Sequence, residues 1–252
     1  MKLTVVSYNL KDGGIDDGNK KRFFAQIDRL AGLDADLIGV QEAKYWRKRR
    51  HGPLHEAADR LGMTGIMVRS NHHGCDTVIL IRKQRGLRVI RTDHDRSGLR
   101  WHALAAAELA VEGRDRPLWF LNTHFAPSSP LLRQIEAETL DLFRDRDAIL
   151  VGDFNGAAAG ETVTAGPEVH PAKARRKADR GAAEAIEESG FIDIAALWGD
   201  ATPTVSDPPY RADRIYTTLP AKAVQHYQAI KEEDMEEDPH SDHFPVLGVF
   251  DV

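Results

Sequence analysis

The stretch Gly152-Asp153-Phe154-Asn155 directly follows the apolar residues 148–151. A short apolar run closed by a Gly-Asp-x-Asn turn reads as a buried strand that delivers a carboxylate and an amide to a sheet edge. That pair can hold and deprotonate a water, or grip a metal-bound phosphate. A second cluster, Ser241-Asp242-His243-Phe244-Pro245-Val246, places a carboxylate and an imidazole ahead of another apolar run. Metal- and proton-handling groups at two strand ends predict one shared site.

Other strand ends fit the same pattern. Asn9 ends residues 3–8, Glu42 follows residues 36–40, His124 follows residues 118–122, and Asp213 opens the run at Arg214. Side chains at one sheet edge converge while the backbone stays rigid, so sites are built there. Oxygen ligands from Glu42, Asp242 and the amide of Asn9 suit a hard cation, and Mg²⁺ or Mn²⁺ is the expected cofactor. Histidines without a cysteine cluster argue against a structural zinc. Each residue alone has a plain reading: a turn at Asn9, a solvated strand end at Glu42, a core histidine at His124, an ion pair of Asp213 with Arg211 or Arg214, a turn cap at Asp242-His243. Their joint occurrence is what carries weight.

The elements that must position them follow from periodicity. Strands are expected over residues 3–8, 36–40, 64–68, 77–81, 87–91, 101–111, 118–122, 148–151, 214–218, 223–229 and 246–250. Residues 20–33 have helical spacing, with Phe23, Ile27 and Leu30 on one face. Further helices are expected over 55–61, over 130–143 with Pro130 in the first turn, and over 179–188 closed by Gly190. Successive strands between 64 and 111 predict antiparallel pairing, and the sum is a mixed α/β chain unlike a repeating βαβ pattern.

The 252 residues are 42% hydrophobic and 29% charged, enough for a sizeable core. No linker or repeat divides them, so a single domain over 1–252 is expected. The formal net charge of −5 means that local basic patches, not the whole molecule, must attract any polyanion. The one cysteine, Cys75, excludes an intrachain disulfide and fits a reducing compartment. No apolar run approaches the ~20 residues of a membrane helix, and the N-terminal residues read as a strand rather than a signal peptide. A cytoplasmic protein without membrane insertion is therefore expected; the oligomeric state stays open.

Taken together, Ser7-Tyr8-Asn9, Gln41-Glu42, Asn122-Thr123-His124, Gly152-Asp153-Phe154-Asn155, Arg211-Ala212-Asp213-Arg214-Ile215 and Ser241 to Val246 resemble the endonuclease/exonuclease/phosphatase family, in the family's order and across nearly the whole chain. The resemblance implies a four-layered α/β sandwich, with two packed, mostly antiparallel mixed sheets flanked by helices, and a divalent-metal phosphoesterase. It implies Glu42 as the principal metal carboxylate, with Asn9 and Asp242 beside it. Asp153 would orient or deprotonate the attacking water, and Asn155 would help hold water and phosphate. His243, positioned by Asp213, would contact the scissile phosphate, and His124 would donate to a phosphate oxygen.

Substrate contacts are expected from the basic run Lys44-Tyr45-Trp46-Arg47-Lys48-Arg49-Arg50-His51, with phosphate held by Lys44 and stacking from Tyr45 or Trp46. Asn71, in the turn Asn71-His72-His73, and Arg133, on the helix after His124, are further candidates, although a surface turn and an exposed helix position are the plainer readings. Lys173-Ala174-Arg175-Arg176-Lys177 reads as a basic loop over the site or, more simply, as a solvated helix start. The stretch 202–210 has no Trp of the kind AP endonucleases carry there, and Ala212 precedes Asp213 where inositol polyphosphate phosphatases carry Cys. No membrane-touching hydrophobic hairpin of the sphingomyelinase kind is evident. The expected function is a nuclease acting on DNA or RNA. A phosphatase or phosphodiesterase of a small metabolite or lipid head group is the alternative, and a non-catalytic binding protein on the same scaffold ranks third.

Overall fold

The structure, a computed structural model, describes residues 1–231 and 240–252. In chain order the strands are β1 (Lys2–Asn9), β2 (Leu37–Gln41), β3 (Met63–Val68), β4 (Thr77–Arg82), β5 (Leu87–Thr92), β6 (Leu104–Val111), β7 (Leu118–His124), β8 (Asp147–Asp153), β9 (Ile192–Asp193), β10 (Val205–Ser206), β11 (Pro209–Tyr210), β12 (Asp213–Thr217), β13 (Val224–Ala229) and β14 (Val246–Asp251). The helices are α1 (Lys21–Gly32), α2 (Lys48–Leu61), α3 (Pro130–Glu138), α4 (Pro171–Lys177), α5 (Gly181–Glu188) and α6 (Ile194–Trp198).

One six-stranded sheet runs β13-β14-β1-β2-β4-β3 and the other β5-β6-β7-β8-β12-β9. Within them β1–β2 and β7–β8 are parallel and the remaining pairs antiparallel, so both sheets are mixed. The facing surfaces bury one apolar core, with Leu3, Val5, Leu37 and Ile79 from the first sheet against Phe120, Ile149, Val151 and Ile215 from the second. The outer face of the first sheet packs on α1 through Phe23, Ile27 and Leu30, and the outer face of the second packs on α3 and α5 through Ala137 and Ile186. The result is a four-layered α/β sandwich.

The sheets approach closely at Gly39, where a Cβ would stand 2.3 Å from a Val151 methyl. A polar seam lies beside it: the Gln41 amide donates to Asn122 Oδ1 at 2.7 Å, and the Asn122 amide donates to the carbonyls of Val40 and Val78. This seam locks the ends of β2 and β7 together, and Glu42 and His124 stand at those ends.

Several expected bounds shift. β6 begins at Leu104 rather than 101, leaving Trp101 in a loop where its ring stacks on His72 at 4.1 Å. The helix from Pro130 ends at Glu138 and tightens into a 3₁₀ turn over Thr139–Phe143. α2 starts earlier than expected, but Arg49, Arg50 and His51 have positive φ inside it, so its regular part begins after them. The basic stretch after residue 170 forms α4, with Pro171 at its first turn. Among the described residues no helix is long and apolar enough to cross a membrane.

Candidate active site

Register brings the polar strand ends together. β8 pairs with β7 so that Asp153 stands beside His124, and with β12 so that Asp153 stands opposite Asp213. Gly152 is required there, because a Cβ would fall 2.3 Å from the Thr123 carbonyl oxygen. In the first sheet Asn9 pairs with Gln41, which carries Glu42 to the same edge.

Asp153 is the hub. Its Oδ2 accepts from the Asn9 amide at 3.1 Å, and lies 3.4 Å from His124 Nε2 and 3.8 Å from His243 Nε2. Its Oδ1 accepts the Asn155 backbone N–H at 2.9 Å. Asp213 Oδ2 stands 2.7 Å from His243 Nδ1 and also accepts from the Thr204 hydroxyl at 2.7 Å. The Asn155 side-chain amide donates to the Phe125 carbonyl at 3.0 Å, while its Oδ1 accepts from Lys177 Nζ at 2.6 Å. Ser241 ties the C-terminal cluster in by donating to the Asn9 carbonyl at 2.7 Å.

Glu42 and Asn155 are both non-glycine residues at φ +54°. Left-handed backbone at such residues costs energy and persists where surrounding contacts over-determine it, commonly at functional sites. Here the Glu42 carboxylate accepts the Asp12 N–H at 3.0 Å and faces the Asn9 amide at 3.5 Å.

The electrostatics follow from burial and charge. Burial alone would raise the Asp153 carboxyl, but the charges of His243 and His124 and the hydrogen bond from His124 hold it well below the usual carboxylate range. Burial alone would lower His243, yet the charges of Asp213 and Asp153 and the hydrogen bond to Asp213 push it up to about 10. Burial likewise opposes the charged form of His124, and its bond to Asp153 overcomes that and raises it. Burial, helped by the charge of Asp153, raises Asp213. The proton of the Asp213–His243 pair therefore sits on the imidazole. Asp153 is a carboxylate between the His243 imidazolium and His124, whose charged form it favours.

A hard cation fits the Glu42 end. The donors there are oxygens, and the nearby Cys75 thiol is pushed up to about 12 by burial and then by the charge of Glu42, so it is not a thiolate ligand. Asn9 is in place beside Glu42. Asp242 is exposed, pairs with Lys11 at 3.4 Å and lines a cavity with Asn155 and His243. Asp153, Asp213 and His243 also bring one donor atom each within 4.8 Å of one another. The hydrogen bond between Asp213 and His243 favours a proton over a metal in that group.

Three expected substrate contacts are corrected. Trp46 is fully buried, its ring against Phe23 and its Nε1 donating to the Gly13 carbonyl at 2.9 Å, so it cannot stack on a ligand. Arg133 is fully buried rather than exposed, and donates to the carbonyls of Ala126 and Arg176 beneath the site. The Asn71 amide is spent on the carbonyls of Ser97 and Arg100, which ties down the loop over 96–100. Lys44 keeps a partly exposed ammonium, paired with Asp12 at 2.7 Å. Arg211 pairs with Asp193 at 2.9 Å, leaving Asp213 to His243.

The sequence reading missed Thr204 and His102, and offered Lys177 only as part of a basic run with a solvated helix start as the plainer alternative. Thr204 holds Asp213, and no motif marks it. Lys177 reaches Asn155 across 22 residues of chain. His102 stacks on His124 with ring centroids 4.1 Å apart, pulled down to about 2 by burial and the charge of His124, so it is a neutral wall against that ring.

No protein-family model and no curated protein matches the chain. Solved structures do. An endonuclease/exonuclease/phosphatase family protein from Bacteroides thetaiotaomicron is 18% identical with TM-score 0.71, over 100% of this chain and 96% of that one. A mannosyl-6-phosphatase from the same organism is 18% identical with TM-score 0.69, over 98% of both chains. D. rerio TDP2, complexed with a single-strand DNA product, is 17% identical with TM-score 0.66, over 100% of this chain and 99% of that one. These likenesses agree with the layers described above: the chain has the endonuclease/exonuclease/phosphatase fold.

Proposed function

We propose that the protein is a divalent-metal-dependent phosphoesterase that hydrolyses phosphodiester bonds by attack of water, and that its substrate is DNA or RNA. The observation that carries the reading is Asp153 held as a carboxylate between His124 and His243, with Asp213 fixing His243 from behind. Glu42 and Asn9, with Asp242, would hold Mg²⁺ or Mn²⁺, which when bound supplies Lewis-acid polarisation of a phosphate oxygen.

The chain's own residues do the rest. Asp153, with its lowered basicity, holds and aligns the attacking water. The second N–H of the Asn155 amide is available to water or phosphate. The imidazolium of His243 donates from Nε2 to a phosphate oxygen, and the His124 ring adds a second donor. Donors fixed in place before charge accumulates on the phosphate oxygens need no reorganisation, which is where such sites gain most of their rate. Lys44 and Arg47 are paired with Asp12 and Asp76, so the exposed Lys48, Arg49 and Arg50 of the same run supply the local basic surface that a net acidic molecule needs for a polyanion. The DNA-bound TDP2 fold supports the nucleic-acid choice. The mannosyl-6-phosphatase of the same fold supports the second reading, a phosphatase of a small phosphorylated molecule. The lone cysteine supports a cytoplasmic setting.

The test is a substrate panel with Mg²⁺ or Mn²⁺. Cleavage of plasmid, single-stranded DNA or RNA is expected. Intact nucleic acids with phosphate released from metabolites would select the second reading.

A further inference from the structure

The hydrogen-bond and ring partners of the half-buried Lys177 ammonium among the described residues are neutral: Oδ1 and the carbonyl of Asn155, at 2.6 and 3.5 Å, and the Tyr210 ring, with its centroid at 6.0 Å. The carboxylate of Asp153 acts on it as a charge, but that carboxylate also faces His124 and His243. An ammonium drawn out of water against neutral partners is costly unless an anion completes the site. Lys177 borders a cavity of about 320 Å³ lined also by Asn155, Lys173, Ser206, Tyr210 and His243. Two carboxylates face the same cavity, but each has its own cation: Asp207 pairs with Lys173 at 2.9 Å and Asp242 with Lys11 at 3.4 Å. Lys177 has no carboxylate of its own among the described residues, since the Asp153 charge that favours it is shared with His124 and His243.

Its placement is built in. The Lys177 carbonyl accepts the Ala157 N–H at 2.9 Å, and Arg133 donates to the adjacent Arg176 carbonyl at 2.5 Å. A Cβ at Gly156 would stand 2.9 Å from the Asp179 carbonyl oxygen and 3.0 Å from Arg133 Nε, so the turn after Asp153 and the end of α4 interlock without spare room. The buried Arg133 is thus the base on which the Lys177 ammonium is mounted.

We infer that the Lys177 end of this cavity, beside the Asn155 and His243 positions assigned to the scissile phosphate, is a second oxyanion subsite in which Lys177 binds a flanking phosphate. The inference rests on the phosphoesterase reading and narrows it to substrates with at least two phosphates. The volume lies at the lower end of the roughly 300–1,000 Å³ typical of ligand pockets, which suits a sugar phosphate better than a bare ion. The flanking phosphate can come from a polynucleotide or from a small bisphosphate.

Two measurements decide it. Inorganic phosphate is titrated into metal-free wild type, Lys177→Ala and Lys177→Arg, with binding followed by calorimetry. Losing one charge-assisted contact weakens binding about tenfold in Lys177→Ala, while Lys177→Arg keeps it. No binding by wild type, or equal affinity in Lys177→Ala, overturns the inference whether or not any ester is hydrolysed. In turnover, kcat/KM is compared for an oligonucleotide, a sugar bisphosphate and bis-p-nitrophenyl phosphate, which has no flanking phosphate. In Lys177→Ala the ratio of the first or second to the third falls about tenfold, and the substrate whose ratio falls identifies the source. Equal losses on all three mean that Lys177 acts only through Asn155 and overturn the subsite. A wild type that hydrolyses nothing defeats the phosphoesterase reading while the titration still decides the subsite.

Discussion

His243 Nδ1 and Asp213 Oδ2 stand 2.7 Å apart, and this contact sets which atom of His243 can serve a substrate. With Nδ1 committed to Asp213, Nε2 is turned toward Asp153. The carboxylate behind the ring keeps the imidazole cationic over the neutral range.

A pH dependence follows. His243 is raised from 6.5 to about 10 on folding. Its stabilising contribution is therefore complete below its unfolded value and is lost as pH rises through about 10. Activity that needs the imidazolium falls over the same alkaline range. Asp213→Asn removes the main raising charge, so the alkaline limb of the kcat/KM profile moves to lower pH. An alkaline limb that does not move removes His243 from the mechanism.

Asp153→Asn keeps the shape and loses the charge between the two histidines. Activity falls by about 10²–10³-fold, the range for loss of one preorganised electrostatic group. The His124 and His243 imidazoles, no longer facing that carboxylate, titrate at lower pH, which NMR of the ring protons reads directly.

Trp46→Ala separates a core residue from a stacking platform. The ring is buried against Phe23, so truncation costs about 3–5 kcal/mol of stability, measured by denaturant unfolding. Trp46→Phe keeps most of the packing and leaves KM near wild type. A raised KM at unchanged stability would restore the stacking role.

Gly39→Ala tests the approach of the two sheets. Its Cβ would stand 2.3 Å from Val151, and such overpacking costs about 1–3 kcal/mol, seen as a lower melting temperature. Unchanged stability would show that the seam has slack.

Much of this was legible in the sequence where chemistry is coupled to strand ends. Asn9, Glu42, His124 and Asp153 are read from apolar runs that stop at a polar residue and Asp213 from a strand that opens on it, and strand register then brings them together. The failures share one cause. Trp46 and Arg133 were judged by neighbours in sequence, yet Gly13 and the Arg176 carbonyl, distant along the chain, decide their burial. Lys177 sits at the end of a short helix whose return to Asn155 depends on Arg133 and on the Ala157–Lys177 backbone bond. Local composition marks the basic run 173–177 as a candidate but not which of its side chains returns to Asn155.

The central claim is tested most directly by phosphodiester hydrolysis measured against added Mg²⁺ or Mn²⁺, for wild type and Glu42→Gln. The account predicts hydrolysis that stops with EDTA and returns with metal, and a Glu42→Gln variant that needs at least about tenfold more metal for half-maximal rate, in line with the cost of removing a metal-site group. Hydrolysis that persists in EDTA, or a Glu42→Gln variant with an unchanged metal requirement, would contradict it.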